Sequence, residues 1–176
     1  MVEVKFFEEV NDELLKFAVI IAKSNGKWVL CKQKGSNTYE CPGGHRDAKE
    51  NITDTARREL WEETGALDFS LIPICVYSVI GQENKIHNEK ETYGMLYYSE
   101  IKSFGQLPEF EIEKVELFDE LPENWTYPSI QPKLLERLKE VQKIRKSGLD
   151  SAVRPEDALH IAEQSSQRKG VHGLSP

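Results

Sequence analysis

Positive charge is in short supply in this chain. Lys and Arg number 23 against 30 Asp and Glu, a formal net charge of −7. A protein that coats nucleic acid needs a basic surface, so composition argues against that class. A small phosphorylated ligand stays open, because bound metal can supply local positive charge. Cysteine is scarce too. The three present, Cys31, Cys41 and Cys75, are odd in number and show no metal-site spacing, which points to reduced thiols rather than a disulfide framework. Long apolar runs are missing: the longest, residues 17–22, falls far short of the ~20 residues that cross a bilayer. The opening stretch MVEVKFFEEVNDELLK lacks the basic–apolar–small pattern of a secretion signal. A cytoplasmic protein with no membrane partner is the expectation, and no internal repeat is visible.

At 176 residues the chain suits one domain with a sizeable core and about thirty residues to spare. Residues 17–23 and 28–33 are β-rich runs joined around Asn25-Gly26, a hairpin signal. Further strands are expected at 39–41, 70–80, 92–99 and 114–118, with a polar connecting stretch over 81–91 that includes His87. Pro42-Gly43-Gly44 reads as a turn in which glycine permits positive φ and close backbone approach. A helix capped by Asn51 or Thr53 should end at Gly65, with Ala56 and Leu60 as its apolar edge. Residues 129–146 read as a closing helix with one apolar stripe, from Ile130 through Leu134, Leu135, Leu138 and Val141 to Ile144. Strands before and after a central helix, with a closing helix, suggest a mixed sheet between helices, an α/β (α+β) class. Residues 1–146 are expected to form the single domain. Residues 147–176 are expected to form a C-terminal tail, with an accessory helix near 155–167 that starts at Pro155.

Residues 44–66 carry the chemistry: GHRDAKENITDTARRELWEETGA. Glu59, Glu62 and Glu63 occupy relative positions 0, 3 and 4, which a helix gathers on one face. Like charges so placed repel by a few tenths of a kcal/mol per pair. A hard divalent cation resolves that repulsion, and Mg²⁺ characteristically sits between carboxylates and substrate phosphates. Arg58 stands four residues before Glu62, a spacing that lets the guanidinium hold that carboxylate.

With Gly44, Glu50, Arg58-Glu59, Leu60, Glu62-Glu63 and Gly65 in fixed places, the segment resembles the signature of the Nudix hydrolase family. Ala66 is smaller than the aliphatic residue usual at the end of that pattern. The resemblance covers roughly residues 15–145 and implies an α/β/α sandwich with a loop–helix–loop catalytic platform. It implies that Glu59, Glu62 and Glu63, with the Gly44 carbonyl, hold Mg²⁺ or Mn²⁺, and that Arg58 orients the acids. Glu62 or Glu63 would take the proton as water attacks phosphorus in a nucleoside diphosphate linked to another group. Downstream marks of the ADP-ribose, dinucleoside polyphosphate and NADH subgroups are missing. What remains is the MutT-like group, acting on nucleoside triphosphates, oxidised ones included, or on the triphosphate at an RNA 5′ end. Homodimers are frequent in the family.

Outside the signature, Glu111 in the run Glu109–Glu113 is the candidate for an additional acid, beside the reading of that run as a solvated edge strand. His45 is a candidate phosphate contact. Tyr93, with Tyr97, Tyr98, Trp125 and Tyr127, is a candidate to stack on a base, beside the reading of each as a core residue. Two other classes remain: a Nudix-fold sensor that binds nucleotide without cleaving it, and an isomerase using Cys41 or Cys75.

Overall fold

The computed structural model describes residues 1–83 and 86–147. It contains eight strands and two helices: β1 Glu3–Phe7, β2 Leu15–Ser24, β3 Lys27–Gln33, β4 Gly43–His45, α1 Ile52–Thr64, β5 Ala66–Phe69, β6 Ile72–Glu83, β7 Ile86–Phe104, β8 Ile112–Phe118 and α2 Gln131–Lys146. The main sheet runs β1-β6-β7-β2-β3-β8, with β4 added on β2 and β5 on β7. β2 and β7 are parallel, while every other pairing is antiparallel, so the sheet is mixed. The chain divides into two compact units, Met1–Leu138 and Lys139–Pro176.

Two cores flank the sheet, and the alternation of β2 feeds both. Ala18, Ile20 and Ala22 join Ile52, Ala56 and Leu60 of α1 on one face. Ile21, with Phe17 and Val19, joins Ile130, Leu134, Leu135 and Leu138 on the other. A strand with apolar residues at successive positions is a strand buried on both faces. The helix–sheet–helix layering is therefore the α/β/α arrangement that the sequence suggested.

One edge of β2 is shared between two partners. Its C-terminal half pairs with β3 through Ala22↔Val29 to Ser24↔Lys27, where Asn25 and Gly26 turn with φ of 50° and 81°. Its N-terminal half pairs with β4 through Phe17↔His45, Ala18↔Gly44 and Val19↔Gly43. β3 thus parts from β2 midway, and β4 fills the vacated edge.

The structure corrects several local expectations. Residues 39–41 make only isolated bridges, Glu40 with Cys31 and Tyr39 with Trp125, and the strand is the glycine segment after them. Gly43 and Gly44 do not adopt positive φ; they are needed for close approach alone. A Cβ on Gly43 would lie 2.4 Å from the Ala18 carbonyl oxygen and 2.9 Å from the Val19 Cα. The stretch 81–91 is not all connection, because β6 runs to Glu83 and β7 starts at Ile86, with His87 opposite Gln82. A hydrogen-bonded ribbon satisfies its backbone whatever the polarity of its side chains, so polar composition hid it. Strands β1 and β5 gave too short a pattern to register. The tail helix near 155–167 lies outside the described residues.

Replacing Gly43 by Ala should lever β4 off β2, at about 1–3 kcal/mol typical of overpacking. A fall in the urea midpoint relative to wild type checks this, and an unchanged midpoint would show that β4 has room.

Candidate active site

Helix α1 is held at both ends by its own residues. The Asn51 Oδ1 accepts from the Asp54 backbone N–H at 2.9 Å, and Gly65 closes the helix in the left-handed region at φ 71°, its N–H donating to the Trp61 carbonyl at 2.8 Å. Ile52, Ala56 and Leu60, spaced by four, bind it to the sheet. The spacing leaves Arg58, Glu59, Glu62 and Glu63 on the side that meets β4 and the loop after it.

Arg58 organises that side with all five of its N–H donors. Nε donates to Glu50 Oε1 at 3.0 Å, and Nη2 donates to Glu50 Oε2 at 3.0 Å and to the His45 carbonyl at 2.9 Å. Nη1 donates to Glu59 at 2.6 Å and to Glu62 at 3.1 Å. The Arg58–Glu62 contact expected from the i,i+4 spacing is present. The bidentate bond to Glu50, eight residues back, was not expected; Glu50 was visible only as a fixed point of the pattern. Glu50 also accepts from the Thr55 hydroxyl at 2.8 Å. Hydrogen bonding by Arg58, then Thr55 and the Asp47 amide, lowers the Glu50 pKa from 4.5 to about 2. The same carboxylates raise that of Arg58.

Glu59 and Glu63 sit deeper. The Glu63 carboxylate accepts from the Gly43 N–H at 2.9 Å, and its residue is 5% exposed. Burial raises its pKa to about 9, with Glu40, Glu59 and Glu111 pushing the same way. Burial raises that of Glu59 as well, against the pull of Arg58. A Cβ on Gly44 would fall 2.3 Å from Glu59 Oε1, so the backbone there must be glycine for the carboxylate to pass.

These groups border a cavity of about 550 Å³. Glu59, Glu63, Arg58, Gly44, His45 and Glu111 all line it, as do Tyr127 and, unanticipated from the sequence, Lys16, Asp47, Glu40 and Gln131. Glu62 is not among the lining residues; its carboxylate is turned to Arg58. Tyr93 is absent from the wall too. Its ring packs on Phe7 at 5.7 Å and its hydroxyl donates to Glu91 at 3.1 Å, which places it in the α1-side core rather than against a base. The signal for the missed residues is indirect, since Lys16, Glu40 and Gln131 reach the cavity only through strand pairing and the docking of α2.

Among the described residues no three His, Cys, Asp or Glu side chains form a ready metal cage. The donors are nevertheless hard oxygens. Two buried carboxylates of raised pKa on one cavity wall suit Mg²⁺, which keeps several waters and takes one or two carboxylates plus substrate phosphates.

A family model for the NUDIX domain matches residues 13–138. This chain belongs to the Nudix family. Among its relatives is YtkD of Bacillus subtilis (strain 168), described as a candidate 8-oxo-dGTP diphosphatase. It is 33% identical over 124 residues, 70% of this chain and 74% of YtkD. The crystal structure of the Bacillus subtilis pyrophosphohydrolase BsRppH superposes with a TM-score of 0.65 at 31% identity, covering 79% of this chain and 90% of that one. A Nudix hydrolase from Nitrosomonas europaea shares the fold at a TM-score of 0.57 and 17% identity, over 73% and 89% of the two chains. The Nudix assignment makes the chain a hydrolase of pyrophosphate bonds.

The Glu50 shift has a testable sign. Its folded pKa lies below the unfolded value, so its contribution is fully present above about 4.5 and is lost as pH falls through about 2. Urea midpoints of wild type and Glu50→Gln should differ most near neutral pH and converge between pH 4.5 and 2. A constant difference across that window would assign the effect to shape rather than charge.

Proposed function

We propose that this protein hydrolyses the diphosphate linkage of a nucleoside triphosphate, an oxidised one included, with Mg²⁺ or Mn²⁺ as cofactor. The observation that carries the reading is the Glu59–Glu63 pair, buried on the wall of a cavity that Tyr77, Val79, Ile130 and Leu134 also line. A phosphate chain suits the acids with their ion, and a nucleoside suits the apolar residues. Identity with YtkD above 30% supports a nucleotide of this kind. The catalytic domain in this reading spans residues 1–146, with 147–176 as an appended segment.

In this reading Glu59, Glu63 and the Gly44 carbonyl hold the divalent ion, with Glu62 completing the acidic set from its place on Arg58. When bound, the ion neutralises charge on the diphosphate oxygens and lowers the pKa of a bound water. Glu62 or Glu63 accepts the proton of the attacking water. Arg58 positions both faces of the site: it fixes Glu59 and Glu62, and through the His45 carbonyl it fixes the loop that carries Gly44. His45 and Glu111 stand on the wall where they can meet phosphate or a second ion. The Gly43 N–H holds Glu63 in one orientation, so its second oxygen stays available.

A second reading is the triphosphate end of an RNA, favoured by the likeness to BsRppH. Both readings use the same acids and differ in what lies beyond the first nucleoside.

Pyrophosphate and phosphate release from canonical-base and 8-oxo nucleoside triphosphates, ADP-ribose, NADH and a 5′-triphosphorylated RNA separates them. Turnover with Mg²⁺ is expected on the triphosphates. It should be abolished by EDTA and reduced at least about 100-fold by Glu63→Gln, the scale of a lost general base. Nucleotide binding without turnover would move the protein to the sensor class. Full activity in Glu62→Gln and Glu63→Gln alike would contradict the assignment of the acids.

A further inference from the structure

One row of side chains runs across five strands. Phe6 pairs with Tyr77, Tyr77 with Gly94, Gly94 with Phe17 and Phe17 with His45. Residues opposite one another in a sheet share a face, and Phe6, Phe17 and Tyr77 belong to the apolar cluster on the α2 side. The row is aromatic at every place but Gly94. A Cβ there would lie 2.0 Å from Phe17 Cε2 and 2.1 Å from Cδ2, so the Phe17 ring reaches across and fills the space of the absent side chain. The backbone at Gly94 is not in the left-handed region, so glycine is needed for room alone.

From that seat the Phe17 ring meets Tyr77 at 5.4 Å and His45 at 6.1 Å, inclined at 63° and 82°. Such contacts are edge to face, and among the described residues no ring stacks in parallel on Phe17. The residue is half-buried, and with Tyr77 and His45 it lines the same cavity as Glu59 and Glu63. Gln131 lines that cavity too and is 3% exposed. Its Oε1 accepts from the Cys41 N–H at 3.0 Å. That bond fixes the amide, because a backbone N–H can only donate. The Gln131 Nε2 is left as a donor with no partner among the described residues. A buried donor left so costs stability unless something in the cavity accepts from it.

We propose that Phe17 is the surface on which the nucleobase of the substrate stacks, and that Gly94 is the positioning residue that seats its ring. This rests on the hydrolase reading for the rest of the ligand, a triphosphate beside Glu59 and Glu63 in the same cavity. A ring face together with a buried amide donor suits a base, which offers a π surface and acceptors on its edge. A purely apolar ligand would leave the Gln131 amide unsatisfied. The base is remote from the bond that breaks, so the contact is made equally before and during the reaction. It should therefore act on KM rather than kcat.

The test compares deoxyguanosine triphosphate with the abasic deoxyribose triphosphate, which has no base to stack. The Kd of the α,β-methylene form of each is measured in parallel. Phe17→Leu keeps the apolar bulk and removes the ring. It should raise the KM and the analogue Kd of the base-bearing ligand about five- to hundredfold, the scale of one base–aromatic stack. The abasic values should move less than about twofold. Gly94→Ala, which displaces the ring, should weaken the base-bearing Kd in the wild-type background. With Leu at position 17 it should change that Kd less than about twofold, because it acts through the ring. Equal effects of Phe17→Leu on both ligands, or none on either, would overturn the inference while leaving the hydrolase reading intact. Additive effects of the two substitutions would overturn the role of Gly94. A wild-type protein that binds the analogues but turns nothing over would sink the hydrolase reading alone, and the Kd values would still decide Phe17.

Discussion

One guanidinium holds this site together. Arg58 ties Glu50, Glu59, Glu62 and the His45 carbonyl into a single cluster. Without it, three carboxylates and a fourth in Glu63 would crowd one helix turn and the adjoining loop. Its two faces do different things. The Glu50 bond is bidentate and fixes the loop before α1 to the middle of the helix. The Nη1 bonds to Glu59 and Glu62 set the acids apart and aim them. A lysine could not do both, because it lacks the planar fork.

The cluster works because the backbone beside it has been brought unusually close. β3 leaves the edge of β2 after a few residues, and β4 takes its place with two glycines. Gly43 lies against Ala18 and Val19, and Gly44 lies against Glu59. Helix and strand can approach until a backbone N–H reaches the Glu63 carboxylate, at 2.9 Å. Burial there pushes the Glu63 pKa to about 9. Burial of that kind costs stability, and a divalent ion with substrate phosphate would offset it.

Much of this was legible in the sequence, for reasons that differ by element. α1 declared itself through its caps, Asn51 (offered beside Thr53) and Gly65, and through the four-residue spacing of Ala56 and Leu60. The hairpin at Asn25-Gly26 did so through its turn chemistry. The acids were legible because a helix converts spacing into position without reference to the rest of the chain. What lay hidden depended on pairing across long separations. Lys16 reaches the cavity because β2 lies against β4, and Gln131 reaches it through a bond from the Cys41 N–H to its side chain, ninety residues away in sequence. Tyr93 looked like a stacking residue by type, yet strand register turned it to Phe7. The Gly-Gly pair was correctly read as a place of close approach, and wrongly as a turn, because glycine in a strand and glycine in a turn carry the same letter.

In the proposed reading the two buried carboxylates, Glu59 held by Arg58 and Glu63 held by Gly43, are the seat of a divalent ion. Titration of the protein with Mn²⁺, followed by the electron paramagnetic resonance signal of the free ion, tests it without substrate or turnover. The comparison is wild type against the double variant Glu59→Gln/Glu63→Gln, with folding checked by near-ultraviolet circular dichroism. The account predicts a specific Mn²⁺ site in wild type that weakens at least about tenfold in the variant, the scale expected when the ligand set is lost. Equal binding by the two proteins would place the ion on the acidic surface instead, and would contradict the claim.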